Sequence, residues 1–105
     1  MTEQEKVQLY HNVIEKWGKV PQVFMVMEEV GEMLDKLGKA QRGRLKDRME
    51  LITELVDVTV MMEQWGAYFG WDEYVKEKEY KLQRLKDRYE KNNYKGIAEN
   101  NEKKD

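Results

Sequence analysis

Wound as a helix, the stretch from Leu51 to Phe69 is apolar around most of its circumference, yet Glu54 and Asp57 sit within that surface. At about 100° per residue, Leu51, Leu55, Val58, Met61, Met62 and Trp65 surround Glu54, and Asp57 shares its side. An unpaired carboxylate in such a setting costs on the order of several kcal/mol, more than the packing of its neighbours can offset. Something cationic has to meet it. A second acidic cluster, Glu28-Glu29-x-x-Glu32, is separated from Glu54 by 21 intervening residues, and Glu29 and Glu32 flank the stripe of Val26, Val30, Met33 and Leu37. Residues three or four apart share a helix face, so an antiparallel pair of helices would bring Glu29, Glu32, Glu54 and Asp57 together.

Two properties of the whole chain narrow what the acids can bind. The chain has no cysteine and a single histidine, His11, so disulfides, thiolate chemistry and histidine-rich metal sites are excluded. With 19 basic and 21 acidic residues the net charge is −2, and no single-sign field argues for nucleic acid or an anionic membrane. The start, Met1-Thr2-Glu3-Gln4-Glu5, lacks the basic opening and apolar core of a signal peptide, and the apolar runs fall short of a membrane span. A soluble, cytoplasmic protein is the expectation.

The fold class follows from the spacing of apolar residues and the placing of helix breakers. Thr2 followed by Glu5 reads as a capping box opening a first helix to Lys16 or Trp17, which Gly18 and Pro21 interrupt. A second helix is expected from near Pro21 through Phe24, Met27, Val30, Leu34 and Leu37, followed by a basic connection from Gly38 to Gly43. A third is expected from about Lys46 to Tyr68, ended by Gly70, and a fourth from Glu73 to Lys91 with Asp72 as its N-cap. With no convincing strand, the chain reads as all-α: a four-helix bundle-like subunit over residues 1–92 and a polar, disordered tail over 93–105. At 105 residues one copy cannot cover the Leu51–Phe69 surface, so a homodimer or homotetramer is expected to complete the core.

A salt-bridge network is the competing explanation of the acids. The stretch from Leu51 to Met62 supplies no basic residue, and four acids outnumber any one cation that reaches them. A divalent ion is the simpler solution, and an all-oxygen ligand set points to Mg²⁺ first and Mn²⁺ second. A calcium loop is set aside because rigid helix faces replace its flexible glycine-containing turn.

The arrangement Glu-Glu-x-x-Glu, a spacer of 21, then Glu-x-x-Asp resembles the signature of the MazG-like all-α nucleoside triphosphate pyrophosphohydrolases, which include all-α dUTPases and phosphoribosyl-ATP pyrophosphohydrolases. The similarity runs over residues 10 to 92, through Ile14-Glu15-Lys16-Trp17-Gly18, Asp57-Val58-Thr59-Val60-Met61-Met62-Glu63-Gln64 and Lys81-Leu82-Gln83-Arg84-Leu85-Lys86-Asp87-Arg88. The resemblance implies Mg²⁺-dependent cleavage between the α and β phosphates, giving a nucleoside monophosphate and pyrophosphate. Glu29, Glu32, Glu54 and Asp57 are then the expected ligands, while Glu28 is a further ligand, a base for water or a solvent-facing neighbour.

Lys81, Arg84 and Arg88 lie on one helical face and are expected to meet the phosphates. Similar proteins carry Lys-x-x-[Lys/Arg]-Asn-x-x-Arg there, and Leu85 stands at the Asn place. The same three cations could equally form a solvated stripe paired with Glu73 and Glu77. Lys39, Arg42 and Arg44 are a second group of phosphate candidates. For the base, Trp17 and His11 are candidates, with Phe24 behind them, against the commoner role of an aromatic as core. The rival class is a non-catalytic helical binding or scaffold protein whose acids stabilise an interface.

Overall fold

The computed structural model describes residues 1–91, and the expected tail at 93–105 lies outside them. The described chain is all-helical: α1 (Glu3–Trp17), α2 (Lys19–Gln41) and α3 (Arg48–Glu90), with no strand among the described residues. The helix boundaries follow local chemistry. Thr2 accepts from the Glu5 amide at 3.1 Å while Glu5 accepts from the Thr2 amide at 3.1 Å, which closes the expected capping box. Between α1 and α2 only Gly18 is non-helical, at φ 90 and ψ 150, a conformation that side chains with a Cβ rarely adopt.

α2 begins two residues ahead of Pro21 because the first-turn N–H groups lack helical partners anyway, so a missing one there removes no bond. It also runs on through Gly38. Its end is a Schellman motif: the Gly43 amide donates to the Ala40 carbonyl at 3.1 Å, the Arg44 amide to the Lys39 carbonyl at 2.7 Å, and Gly43 has φ 67. α3 opens on Asp47, which accepts from the Met49 amide at 3.0 Å, and on Glu50, which accepts from the Lys46 amide at 3.1 Å.

The break expected at Gly70 is present: α3 consists of two helical stretches that meet across a kink there. Gly70 alone leaves helical geometry, at φ 151 and ψ 100, and Trp71 and Asp72 are already helical, so Asp72 is not an N-cap. A single glycine can turn the backbone here because no loop residues are needed when the positive φ is free of a Cβ clash. The chain divides into two compact units, Met1–Trp71 and one beginning at Asp72.

Within the first unit α2 and the first limb of α3 run antiparallel in a heptad register. Ascending α2 by sevens from Gln22 to Glu29 to Lys36 meets partners that descend α3 by sevens, Gln64, Asp57 and Glu50. The first rung is a buried hydrogen bond from Gln64 Nε2 to Gln22 Oε1 at 2.7 Å, and the last is Lys36 to Glu50 at 3.5 Å. A repeat of seven is the spacing at which two helices keep one seam in contact. α1 is fastened near the Gly70 end of that limb. Tyr10 donates to Glu63 at 2.9 Å, Lys6 pairs with Glu63 at 3.4 Å, and the Trp71 indole donates to Glu3 at 3.2 Å.

The core is small: Tyr10, Ile14 and Ala67 are the buried hydrophobic residues among those described. Gln22 and Gln64 are buried too, hydrogen-bonded to one another. The apolar pattern of α2 splits between two faces. Val26, Val30 and Met33 are half-buried toward α3, whereas Phe24, Met27 and Leu34 are exposed. In the second unit, described over 72–91, Tyr74, Val75, Arg84 and Arg88 are half-buried on an otherwise exposed helical limb. No helix of the described residues is long and apolar enough to cross a membrane.

Candidate metal centre

The middle rung of the ladder is the acidic one. Glu29 from α2 and Glu54 and Asp57 from α3 each bring a carboxylate oxygen within 4.8 Å of the others. Glu54 and Asp57, three apart, share the side of α3 that faces α2, and the rungs above and below hold that side in place. Glu29 and Glu54 are half-buried, while Asp57 is exposed. Two oxygens, Glu29 Oε2 and Glu54 Oε2, are shielded from solvent with no hydrogen-bond partner. A buried acceptor without a donor is costly, so the cluster requires a proton or a cation.

The electrostatics agree with this crowding. Burial pushes the Glu29 carboxyl up from 4.5 to about 7, assisted by a hydrogen bond with Glu54 and by the charges of Glu32, Glu54 and Asp57. Such a bond needs a proton on one of the two groups, which is the donor the ionised pair lacks. Glu32 is also raised, chiefly by the charge of Glu54, then by its partial desolvation and by Glu28, with Lys36 opposing.

No residue of the tight group is neutralised by a base. Among the described residues the ion pairs are Lys6–Glu63, Lys36–Glu50, Lys39–Asp35, Lys81–Glu77 and Lys86–Glu90, and none includes Glu29, Glu54 or Asp57. The donor set fits a hard divalent cation: three carboxylates, two with orphaned oxygens, on helices that fix their spacing, with one side open for water.

That open side is a groove lined by Met27, Glu28, Gly31, Glu32, Asp35, Lys36 and Glu54. Glu28 and Glu32 are exposed on its wall, so the structure joins three of the four expected ligands and leaves Glu32 flanking them. His11 lines a different hollow, with Ile14, Glu15, Gly18, Lys19 and Tyr68, where the Lys19 ammonium lies 5.6 Å from the Tyr68 ring centre. Trp17 is exposed at the end of α1.

In the second unit Arg84 and Arg88 line a shallow hollow with Tyr80, Gln83, Asp87 and Lys91, and Lys81 pairs with Glu77 at 3.7 Å. Lys39 is engaged with Asp35 at 3.2 Å. Sequence reasoning passed over Lys36, the one cation on the groove wall, although it stands four residues after Glu32 and so had to share its face. It also passed over the Gln22–Gln64 pair, whose only sequence signal is the sevenfold spacing from Glu29 and Asp57. Compared with protein-family models, with curated proteins and with solved structures, the chain finds no match.

Proposed function

We propose that this chain is a Mg²⁺-dependent nucleoside triphosphate pyrophosphohydrolase. It would cleave the α–β phosphoanhydride to give a nucleoside monophosphate and pyrophosphate, with Mn²⁺ as a substitute ion, in cytoplasmic nucleotide-pool house-cleaning. The observation that carries the reading is the meeting of Glu29, Glu54 and Asp57 with two shielded, partnerless oxygens and no basic residue paired to them. A bound Mg²⁺ would polarise the phosphoryl oxygens and lower the pKa of the attacking water.

The chain's own residues have separate tasks. Glu29, Glu54 and Asp57 would hold the ion, Glu32 would extend the acidic surface at its flank, and Glu28, on the groove wall, would take a proton from water. Lys36 on the same wall offers charge to the leaving pyrophosphate. Lys81, Arg84 and Arg88 keep their assignment from the sequence as phosphate contacts, and His11 and Trp17 theirs as base contacts.

One observation favours a second reading, a non-catalytic helical binding or scaffold protein. A carboxyl with a pKa of about 7 can be satisfied near neutrality by a proton shared between Glu29 and Glu54, without a metal. The folded chain incubated with a panel of ribo- and deoxynucleoside triphosphates and Mg²⁺ or Mn²⁺, with pyrophosphate as the readout, separates the two. Turnover is expected, and Glu54→Gln and Asp57→Asn should each reduce it by more than the roughly 10–100-fold loss typical of an outer-shell partner, with helical circular dichroism unchanged. Intact nucleotides throughout would leave the scaffold reading standing.

A further inference from the structure

The side of α2 turned away from α3 carries a second heptad seam that nothing in the described chain covers. Val20, Phe24, Met27, Gly31, Leu34 and Gly38 are spaced alternately four and three, the repeat that places residues along one seam of paired helices. The large members are exposed: Val20 65%, Phe24 62%, Met27 62% and Leu34 59%. The two glycines lie inside the helix, where glycine is a poor choice, and the chain itself gives no reason for them. A Cβ on Gly31 would meet nothing within 4 Å, and one on Gly38 would meet only the flexible Arg42 guanidinium, at 3.2 Å. Neither glycine is therefore required by close approach of another part of the described chain.

We infer that the occupant is a second copy of this helix, antiparallel across a two-fold axis midway between Met27 and Gly31. Antiparallel pairing sets Val20 against the partner's Gly38, Phe24 against the partner's Leu34, and Met27 against the partner's Gly31. Two of these three layers, each formed twice, match a large residue to a glycine, and the third packs two apolar side chains of ordinary size. A parallel pair would instead set glycine on glycine and leave voids. Full burial of the exposed members, with Val23, would remove at most about 1,000 Å² in all, the lower bound of a biological interface. With only Tyr10, Ile14 and Ala67 as buried hydrophobic residues among those described, the chain has reason to use it. Met27 and Gly31 also line the acidic groove, so pairing would make that open groove a cleft between copies. The inference does not depend on the nucleotide reading.

The test is the mass in solution of the full chain and three variants, by light scattering. The wild type is expected at twice 12.7 kDa. Gly31→Leu should be monomeric, with helical circular dichroism retained and a thermal midpoint that no longer depends on protein concentration, because the single chain has room for the side chain. The swap Met27→Gly with Gly31→Met restores large-to-small matching and should recover the dimer. Since the chain has no cysteine, Phe24→Cys with Leu34→Cys should form a disulfide-linked dimer on mild oxidation, and ten residues along one helix are too far apart for an internal bridge. A monomeric wild type, a Gly31→Leu variant that stays dimeric, or a double-cysteine variant that does not cross-link each overturns the inference, even if the swap variant fails to fold.

Discussion

Glu29 is the residue on which the acidity of the site turns. Its carboxyl is raised by burial and by neighbouring acids from 4.5 to about 7, so the folded state holds a proton that the unfolded chain has already lost. The stabilisation from that proton is complete below about pH 4.5 and disappears as pH rises through 7, and Glu32 shifts in the same direction. Metal-free protein should therefore have a lower urea midpoint at pH 8 than at pH 5, and Mg²⁺ should recover the loss at pH 8. Mg²⁺ affinity, by calorimetry, should climb with pH up to about 7 and then level off, with a proton released on binding below it. Glu29→Gln should shrink the pH dependence to the part that Glu32 supplies and weaken the Mg²⁺ response; a variant that keeps both at full size would remove Glu29 from the site. The meeting of Glu29, Glu54 and Asp57 was legible in the sequence because their spacing sets them on facing sides of two antiparallel helices. Glu32, three residues after Glu29, stands at the flank of the group, close enough for the charge of Glu54 to raise its carboxyl.

The start of α1 was legible from the capping box at Thr2, whereas the cap expected at Asp72 is absent and Asp47, which caps α3, was not singled out. Thr2→Ala should cost about 1 kcal/mol by losing its bond to the Glu5 amide, measured as a shift in the chemical-denaturation midpoint. The interruptions expected at Gly18 and Gly70 are where the backbone leaves the helix, each with one residue, whereas α2 runs on through Gly38, which the spacing assigns to a connection. Gly18→Ala meets only the Pro21 ring, at 3.5 Å, so any loss of stability would come from its φ of 90 rather than from crowding. Between α2 and α3 the buried Gln22–Gln64 bond makes a sharper prediction. Gln22→Ala leaves the Gln64 amide without its partner and should cost about 1–3 kcal/mol, whereas Gln22→Leu with Gln64→Leu should be close to neutral. Equal losses in the two variants would mean that the amide bond is not what matters there.

For the whole molecule the all-α class was readable, but the assignment of apolar surface was not. Phe24, Met27 and Leu34 follow the same spacing rule as the half-buried Val30, and only the contacts of α3 tell the two sides of α2 apart. A chain whose described core is this slight should have a thermal midpoint that rises with protein concentration, as expected when association and folding are linked; a midpoint independent of concentration would argue for a self-sufficient monomer. The ladder of Gln22, Glu29 and Lys36 against Gln64, Asp57 and Glu50 has a consequence for how this protein could change in length. One residue inserted between Glu29 and Lys36 would rotate the rest of α2 by about 100° and detach its last rung, while the acids stayed in place. Seven inserted into each helix at matching levels would lengthen the rod by two turns with every rung intact, so this hairpin can grow in whole periods but cannot absorb a change of phase.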